Sequence, residues 1–400
     1  MKIPDSTPRL LDVNESSSRC RVLVMGVGGA GCNIVNRMAQ TWREGPATLA
    51  VNTDAQALGA CEHVRTLSIG AEAARGLGAS GETTCGRLAA EESLSALQAA
   101  MAGTDLLFLV TGLGGGTGTG ACPVIAKAAR QMGALTLVFS TLPFPFEGDR
   151  RRRQADEGLR ALQRVSDAVI CLPNDRLLQG VDNQTGLEDA FRHSDAMLGS
   201  GIRAIWRLLT STGIVNLTFG DVRELAERSG GTLSYGYAEG SGPARSATAL
   251  RALMESPLLE NGRLLTEAKG LMVNITGGPD LTLADLEGIV GQIAGKARPN
   301  AHISMGAMID PARRDQLTIT VLTAETWQED RFDTTGKAGD THAGDKKAAA
   351  APVDAQGELP LHDTTKDRGR FGTAPATLIN GEDLDIPTYL RRGVKLSFER

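Results

Sequence analysis

Two glycine-rich segments carry the residues of this 400-residue chain that are best suited to holding a ligand. The first, GVGGAGCN, runs from Gly26 to Asn33 and begins at the end of the apolar run RVLVMGV. Gly26, Gly28 and Gly31 have the G-x-G-x-x-G spacing, and Asp54 lies about twenty residues beyond the last of them. This arrangement is typical of dinucleotide sites, where bare backbone approaches a pyrophosphate. Taken alone, the spacing also fits a tight turn between a strand and a helix.

The second glycine segment is denser and follows the apolar run DLLFLVT. Its glycines crowd into nine residues: Gly112, Gly114, Gly115, Gly116, Gly118 and Gly120. Bare N–H groups can turn inward around an anion there, and the positive end of the helix-like stretch that follows points to the same place. Thr117 and Thr119 add hydroxyl donors. Two such loops suit a nucleoside di- or triphosphate held from two sides, and the chain has no Walker-type G-K-[ST] motif. The alternative is a glycine-rich helix packed closely on its neighbours.

The loops are positioned by apolar runs that alternate with helix-like segments. The runs typical of buried strands are Arg21–Val27, Thr48–Thr53, Asp105–Thr111, Ala134–Ser140 and Ala168–Asn174. The helix-like segments between them include GRLAAEESLSALQAAM and PVIAKAARQM. This alternation predicts an α/β fold with a doubly wound parallel sheet, and ligands of such sheets bind at the carboxyl ends of the strands.

The second half of the chain has a different order of elements. Leu187–Ser211 has helical apolar spacing and predicts a long central helix that joins two domains. The segments LMVNITGG, LTLADLEGIVGQIAGKA, AHISMGAMID and QLTITVLTAE then predict a smaller α+β domain with a mixed sheet. We expect a disordered N-terminal arm (1–19), a nucleotide-binding domain (20–186), the helix (187–212), the second domain (213–327), a disordered linker (328–382) and a terminal peptide (383–400).

The composition excludes several classes of protein. A net charge of -5 argues against a protein that works on nucleic acid, and hydrophobic residues at 41% are ordinary for a globular chain. No run of about 18 apolar residues occurs, so we expect no integral membrane segment. The first twenty residues lack the core of a signal peptide, and the six cysteines have no zinc-type spacing. The sequence therefore predicts a cytoplasmic protein without a bound structural metal.

The motif GGGTGTG at Gly114–Gly120 resembles the signature of the tubulin/FtsZ family, and its neighbours resemble the bacterial FtsZ branch. The similar segments are GVGGAGCNIVNRM, VNTDAQAL, GLGASG, GRLAAEES, PFPFEGDRR, PNDRLL, SPLLE and AKGLMVNITGG, spread over about Arg21 to Glu325. The resemblance implies a GTPase that binds GTP/GDP with Mg2+ and hydrolyses GTP to GDP and phosphate. It also implies head-to-tail filaments that form the ring of bacterial cell division at mid-cell, and a second domain that activates hydrolysis.

The resemblance also assigns site residues. Those matched to the phosphates, ribose and magnesium are Gly28, Gly29, Ala30, Thr53, Asp54, Gly78, Ala79, Ser80, Gly114, Gly115, Gly116, Thr117, Gly118, Thr119, Gly120, Glu147 and Arg151. Those matched to guanine are Asn33, Asn174, Phe191, which would stack on the base, and Asp195, which would accept from its amino group. For Asp54, a helix N-cap is the structural alternative.

A last segment, GIVNLTFGDVREL from Gly213 to Leu225, is similar to the family loop that leaves one subunit and completes the site of the next. The resemblance implies that Asn216 and Asp221 are catalytic, with a carboxylate orienting the water that attacks the terminal phosphate. Thr218 stands where the family usually has another acid, so we expect slow turnover. GGTLSYGYAEG at Gly230–Gly240 also departs from the family pattern.

The resemblance implies two kinds of partner. The chain would contact itself end to end, and the terminal peptide Asp383–Arg400 would bind a membrane-tethering adaptor. Ile386, Pro387 and Leu390 would supply its apolar anchor, with Arg391 and Arg392 at the rim; a frayed tail or contact with anionic lipid are the alternatives. Two other functions stay open at this point: a filament protein that binds GTP but scarcely hydrolyses it, and a nicotinamide-dependent dehydrogenase built on the first glycine segment.

Overall fold

The computed structural model describes residues 20–42, 45–177, 186–210 and 213–328, together with two short pieces near the carboxyl end. Strands and helices alternate through the first half: β1 (Val22–Val27), α1 (Gly28–Thr41), β2 (Ala47–Asn52), α2 (Ala55–Gly59), β3 (Arg65–Ser68), α3 (Thr83–Glu92), α4 (Leu94–Met101), β4 (Leu106–Gly112), α5 (Gly116–Gln131), β5 (Leu135–Leu142), a 3-10 turn (Pro145–Glu147), α6 (Asp149–Val165), β6 (Ala168–Pro173) and α7 (Asn174–Leu177).

The second half contains α8 (Leu187–Thr210), α9 (Phe219–Arg228), β7 (Thr232–Ser241), α10 (Arg245–Met254), a 3-10 turn (Pro257–Leu259), α11 (Arg263–Thr266), β8 (Gly270–Gly277), α12 (Leu283–Lys296), β9 (His302–Ile309) and β10 (Gln316–Ala324). Near the carboxyl end, β11 (Leu378–Ile379) pairs antiparallel with β12 (Glu382–Asp383).

Ten strands form one sheet in the order β3-β2-β1-β4-β5-β6-β7-β10-β8-β9. The first six are parallel, as the sequence predicts, and their order reverses between β1 and β4. Open α/β sheets bind ligands at this switch point, outside the carboxyl ends of the two strands. Both glycine segments begin there, because Gly28 follows β1 and Gly112 ends β4.

The predicted mixed sheet is also present. Strand β10 lies antiparallel between β7 and β8, whereas β8 and β9 are parallel. The consecutive strands β9 and β10, whose direct succession suggested a mixed sheet, do not pair with each other, since β8 lies between them. Strand β7 joins the two halves of the sheet through a short parallel pairing of Thr232 and Leu233 with β6.

Helices cover both faces of the parallel half. On one face α1, α8 and α9 bury residues such as Val35, Ile202 and Val222. On the other, α3, α4, α5 and α6 bury residues such as Leu97 and Ile125 against the same strands. In the mixed half, α10 and α12 pack on β8 and β10. Because the central strands are covered on both faces, they read in sequence as continuous apolar runs.

Two helix predictions need correction. The segment Gly86–Met101 is two helices, α3 and α4, which meet at Ser93. The second glycine segment is partly helical, because α5 begins at Gly116, seven residues before Pro123, where the helix-like sequence pattern begins. The long central helix is present as α8, and its 24 residues span about 36 Å at 1.5 Å per residue. In the part of the chain described here, no helix is long and apolar enough to cross a membrane.

Candidate active site

The two glycine segments touch each other at the switch point. A Cβ on Gly28, which has φ +74, would lie 2.8 Å from the Gly118 nitrogen, and one on Gly112 would lie 2.7 Å from the Ala30 Cβ. By contrast, a Cβ on Gly29 or Gly115 would meet nothing within 4 Å. The loops therefore press together at their base and leave two glycines facing open space, where a ligand could approach bare backbone.

Three glycines of the second segment are needed for packing inside α5. A Cβ on Gly120 would lie 2.0 Å from the Thr83 carbonyl oxygen of α3, and one on Gly118 would lie 2.4 Å from Thr111 Oγ1. Gly116 is confined in the same way, with the Ala79 Cβ at 2.8 Å. Close helix packing accounts for these three residues, as the structural alternative proposed. Gly114 and Gly115 form the loop ahead of the amino end of α5.

The threonines of this segment hold the loops in place. Thr117 Oγ1 lies 2.7 Å from Thr53 Oγ1, so the end of β2 is tied to the first turn of α5. Thr119 Oγ1 accepts the backbone N–H of Gly114 at 2.8 Å. All three side chains are buried. Their hydroxyls are therefore engaged in fixing the shape of the loops, a role that the sequence did not reveal.

A third loop, Gly78–Ser80, completes the same region. Its Gly78 N–H donates to the Thr53 carbonyl oxygen at 3.1 Å, and its Ala79 contacts the second glycine segment. Asp54 caps α2, since its Oδ1 accepts the N–H groups of Gln56 and Ala57 at 2.9 and 3.0 Å. The N-cap alternative for Asp54 is thus realised, and Oδ2 lies 3.7 Å from the Cβ position of Gly78.

Glu147 and Arg151 stand beside the second loop and pair with each other at 2.5 Å. A Cβ on Gly114 would lie 2.9 Å from the Arg151 carbonyl oxygen, so α6 starts against this loop. Glu147 also accepts the Phe144 N–H at 2.9 Å. The side chain of Arg151 is 58% exposed.

The residues matched to guanine lie where α1, β6 and α8 meet. Asp195 of α8 pairs with Arg37 of α1 at 2.5 Å, and its side chain is only 14% exposed. Burial raises the pKa of Asp195 to about 6, against the opposing effect of Arg37. Asn33 lies one helical turn before Arg37 on the same face of α1. Asn174 is buried directly after β6.

Sequence reasoning missed Arg37, although its position four residues after Asn33 was a signal that could have identified it. Phe191 is 38% exposed and meets Phe144 edge-on, with ring centroids 5.6 Å apart. Phe144 in turn stacks on Phe146 at 5.0 Å. These rings form an aromatic wall with an open face, next to the carboxylate of Asp195 one turn further along α8.

The segment from Gly213 to Leu225, which the resemblance matches to the family's catalytic loop, lies apart from the glycine segments. Val215 forms an antiparallel bridge with Ala307 of β9, and Asn216 Oδ1 accepts the Gly213 N–H at 2.6 Å. Thr218 is the N-cap of α9. Its N–H and its hydroxyl both donate to Asp221 Oδ2 at 2.6 Å, which makes a reciprocal capping box.

One molecule does not bring this loop to the glycine segments. Strand β9 lies six positions beyond β4 in the sheet, about 29 Å away at 4.8 Å per strand. Along α8, Asp195 and the last helical residue, Thr210, are separated by about 22 Å. The phosphate-side and guanine-side residues are therefore brought together, whereas Asn216 and Asp221 lie at the opposite end of α8. Among the described residues, no group of three or more His, Cys, Asp or Glu side chains could hold a metal ion.

Comparisons with known proteins give a consistent result. Residues 21–182 match the Tubulin/FtsZ family GTPase domain, and residues 231–326 match the FtsZ family C-terminal domain. The chain is 38% identical to the cell division protein FtsZ of Azotobacter vinelandii over 383 residues, covering 93% of this chain and 96% of that protein. It is 42% identical to cell division protein FtsZ 1 of Archaeoglobus fulgidus over 301 residues, covering 75% of this chain and 81% of the relative.

The fold is also similar to solved structures. An empty FtsZ dimer from M. jannaschii superimposes with a TM-score of 0.71 at 32% identity, covering 81% of this chain and 96% of that one. CetZ2 from Haloferax volcanii, solved as a GTPγS-bound protofilament, has a TM-score of 0.65 at 22% identity, with 78% and 95% coverage. At 22% identity, the similarity to CetZ2 is evidence for the fold alone.

Proposed function

The chain belongs to the FtsZ branch of the tubulin/FtsZ family, and on that premise we propose how its residues divide one GTPase site between two molecules. It is a GTPase that binds GTP/GDP and polymerises into the filaments of cell division. The dehydrogenase interpretation of the first glycine segment is therefore wrong. The alternative of a filament protein that binds GTP but scarcely hydrolyses it stays a prediction, which the rate of phosphate release tests. In the proposed division, one molecule holds the nucleotide and the next supplies Asn216 and Asp221.

The proposal rests on the distance between the nucleotide loops and the loop that contains Asn216 and Asp221. GTP held at the switch point by Gly29, Gly115 and their neighbours has its terminal phosphate at one end of the molecule. Asn216 and Asp221 are fixed to β9 and α9 at the other end of α8. A head-to-tail contact brings these two ends together, and such heterologous contacts generate open filaments.

Exposed apolar side chains at both ends are consistent with that contact. Leu77 and Phe146, which border the nucleotide loops, are 82% and 73% exposed. Ile214, next to Asn216, is 68% exposed. Burying such residues in a filament would contribute on the order of 1.5–3 kcal/mol each.

Asp221 would orient the attacking water, and we propose that Thr218 limits this chemistry. A carboxylate facing the water can direct its lone pair at the terminal phosphate and accept a proton. In this chain the Thr218 N–H and hydroxyl both donate to Asp221 Oδ2, so this carboxylate oxygen is engaged in the cap of α9. A second acid in place of Thr218 would instead add negative charge at this point. We therefore expect slow turnover.

For the nucleotide, we propose the assignments of the family resemblance with Arg37 added. Asp195 accepts from the guanine amino group, Phe191 stacks on the base, and Arg37 holds the Asp195 carboxylate in place. Asp54 is the carboxylate nearest the phosphate loops, with Oδ1 engaged in its cap and Oδ2 facing Gly78. Mg2+ commonly uses one or two carboxylates together with phosphate oxygens, so Asp54 fits as its single protein ligand. Such an ion would neutralise charge on the phosphates.

The remaining proposals concern organisation and place. We divide the chain into a GTP-binding domain (20–186), a central helix (187–212) and an activating domain (213–327), with an arm, a linker and a terminal peptide outside them. The terminal peptide Asp383–Arg400, of which the structure describes only Asp383, would bind a membrane-tethering adaptor. The filaments would lie in the cytoplasm at mid-cell.

Mixing two inactive variants tests the shared site. Gly115→Val should block nucleotide binding without unfolding the protein, because Gly115 has an extended backbone (φ -90, ψ 166) and its Cβ meets open space. Asp221→Asn should bind GTP without hydrolysing it, because an amide keeps the geometry of the cap. Gly288→Val, another open glycine, is the matched control and should remain active.

Each of the first two variants alone should release little phosphate from GTP. An equal mixture should regain activity, since about one quarter of randomly formed junctions pair an intact nucleotide site with an intact Asp221. Phosphate release and sedimentation are measured on the same samples. If the variants co-sediment but the mixture stays inactive, the site is not shared between molecules.

A further inference from the structure

A cavity of about 770 Å³ runs along one face of α8, between that helix and the mixed half of the sheet. One end of the cavity reaches Arg37 and Asp195 and so borders the nucleotide site. The other end is lined by Arg203 and Arg207, two and three helical turns further along α8. Arg203 lies eight residues from Asp195, about 12 Å along the helix axis. This far end is not used by the GTPase chemistry derived above.

Three guanidinium groups converge at the far end of the cavity with few carboxylates to balance them. Arg207 and Arg313 share Asp310, at 3.2 and 3.7 Å, and Arg313 also lies 3.4 Å from Glu239. Arg203 has no carboxylate within ion-pair distance among the residues that the structure describes. Its guanidinium lies over the Trp42 ring, 6.0 Å from the centroid.

The hydrogen-bonding capacity of Arg203 is also unused. Its Nε is buried and has no hydrogen-bond partner in the described structure. Burial and the neighbouring charges of Arg207 and Arg313 lower the pKa of Arg203, against the smaller opposing effect of Asp310. A buried donor left without a partner costs stability. An anion that enters the cavity would balance the charge of Arg203 and accept a hydrogen bond from its Nε.

The opposite wall offers neutral polar groups. Asn274 and Thr276 of β8 and Thr318 and Thr320 of β10 line it. Asn274 is only 5% exposed, and its Oδ1 has no hydrogen-bond partner in the described structure. An unpaired acceptor of this kind requires a donor such as a hydroxyl group. The cavity therefore presents Arg203 and Arg207 on the α8 wall. The wall of the sheet presents acceptors and hydroxyls, with Arg313 donating to Thr318 Oγ1 beside them.

We propose that the far end of this cavity binds a small hydroxylated phosphate monoester, with the phosphate on Arg203 and hydroxyl groups on Asn274 and the threonines. Guanidinium groups match phosphate oxygens in bidentate geometry, and a doubly charged phosphate balances a cluster of arginines better than a neutral ligand does. The volume lies within the range of small-molecule sites. Such a ligand would join α8 to the mixed half of the sheet.

Calorimetry on the full-length protein saturated with GDP tests this site, because GDP keeps the probe out of the nucleotide loops. The probes are glucose 6-phosphate, inorganic phosphate and uncharged glucose. We expect glucose 6-phosphate to bind at millimolar concentrations and glucose not to bind. Binding of inorganic phosphate as tight as that of the ester would also support the anion site and identify free phosphate as the ligand.

Variants of Arg203 assign the binding to the cavity. Arg203→Gln should weaken glucose 6-phosphate binding about tenfold or more, as loss of a charge-assisted contact predicts. Arg203→Lys, which keeps the charge but loses the Nε donor, gives an intermediate loss and serves if the glutamine variant does not fold. Arg251→Gln, an exposed arginine of α10, should bind as the parent does. The proposal is overturned if the parent takes up neither anion, if glucose binds equally well, or if both Arg203 variants match the parent.

Discussion

Replacing Asp195 with asparagine should remove the preference of this protein for guanine. In the proposed site the Asp195 carboxylate accepts from the exocyclic amino group of the base, which inosine lacks. Hydrogen bonds to charged groups contribute about 1.5–3 kcal/mol, so the parent should bind GTP roughly 10- to 150-fold more tightly than ITP. Asp195→Asn should bind both nucleotides with similar, weaker affinity, because an amide can still accept but carries no charge.

The pH dependence of binding provides an independent measure of the same residue. Burial raises the pKa of Asp195 to about 6 in the free protein, so the carboxyl group becomes protonated and uncharged as the pH falls below that value. GTP binds the ionised form and must displace this proton. At pH 5, about one pH unit below the pKa, affinity for GTP should therefore be about tenfold lower than at pH 7. The asparagine variant lacks this titration.

Equilibrium binding of GTP and ITP, measured from pH 5 to pH 7.5 below the concentration for assembly, distinguishes these outcomes. Asp189→Asn is the matched control, because Asp189 lies on the same helix but is 62% exposed and pairs with Arg192. The control should keep both the preference for GTP and the pH profile of the parent. If Asp195→Asn still prefers GTP over ITP as strongly as the parent, Asp195 does not read the base, and the placement of guanine beside α8 is wrong.

Three further outcomes follow from other parts of the structure. Thr218→Asp should raise GTP turnover by adding the second acid. Thr282→Asp, which changes an equivalent capping box with Asp285 on α12, should leave turnover unchanged. Steady-state phosphate release checks both variants, and no gain from Thr218→Asp contradicts the proposal that Thr218 limits turnover. Gly118→Ala should cost about 1–3 kcal/mol of stability because its Cβ would lie 2.4 Å from Thr111 Oγ1, whereas Gly115→Ala should cost little. Thermal denaturation compares the two variants, and equal midpoints would contradict the packing role of Gly118. Deleting 383–400 should leave GTPase activity intact and abolish adaptor binding in a pull-down assay, and a loss of activity would show that the terminal peptide is not independent.

The sequence predicts most of the fold because buried parallel strands leave a clear pattern. The runs that became β1, β2, β4, β5 and β6 agree with the structure to within two residues at each end. Strand β3 escaped prediction because Arg65–Ser68 is a short edge strand with mostly exposed side chains. Strand β7 escaped because Gly236 and Gly240 interrupt it. Both glycines are needed there: a Cβ on Gly240 would lie 2.0 Å from the Arg245 carbonyl oxygen.

The site was predicted less completely than the fold, for a physical reason. The density of glycines indicated where another group approaches the backbone closely, but it did not show whether that group is a ligand or a neighbouring helix. Gly115 faces open space, whereas Gly120 faces α3, and only tertiary structure separates them. In the same way, the pairing of Arg37 with Asp195 joins residues 158 positions apart, which no local pattern records.

If the site is shared between molecules as proposed, the placement of its two halves at opposite ends of α8 determines how many sites a filament completes. In a row of molecules stacked head to tail, every junction completes one site, so a row always contains one fewer working site than bound nucleotides. In that arrangement a pair of molecules would hydrolyse one GTP and keep the other, and a solitary molecule would hydrolyse none. The molecule with an uncovered nucleotide end therefore retains its GTP until another joins it, and the two tips of every filament differ chemically.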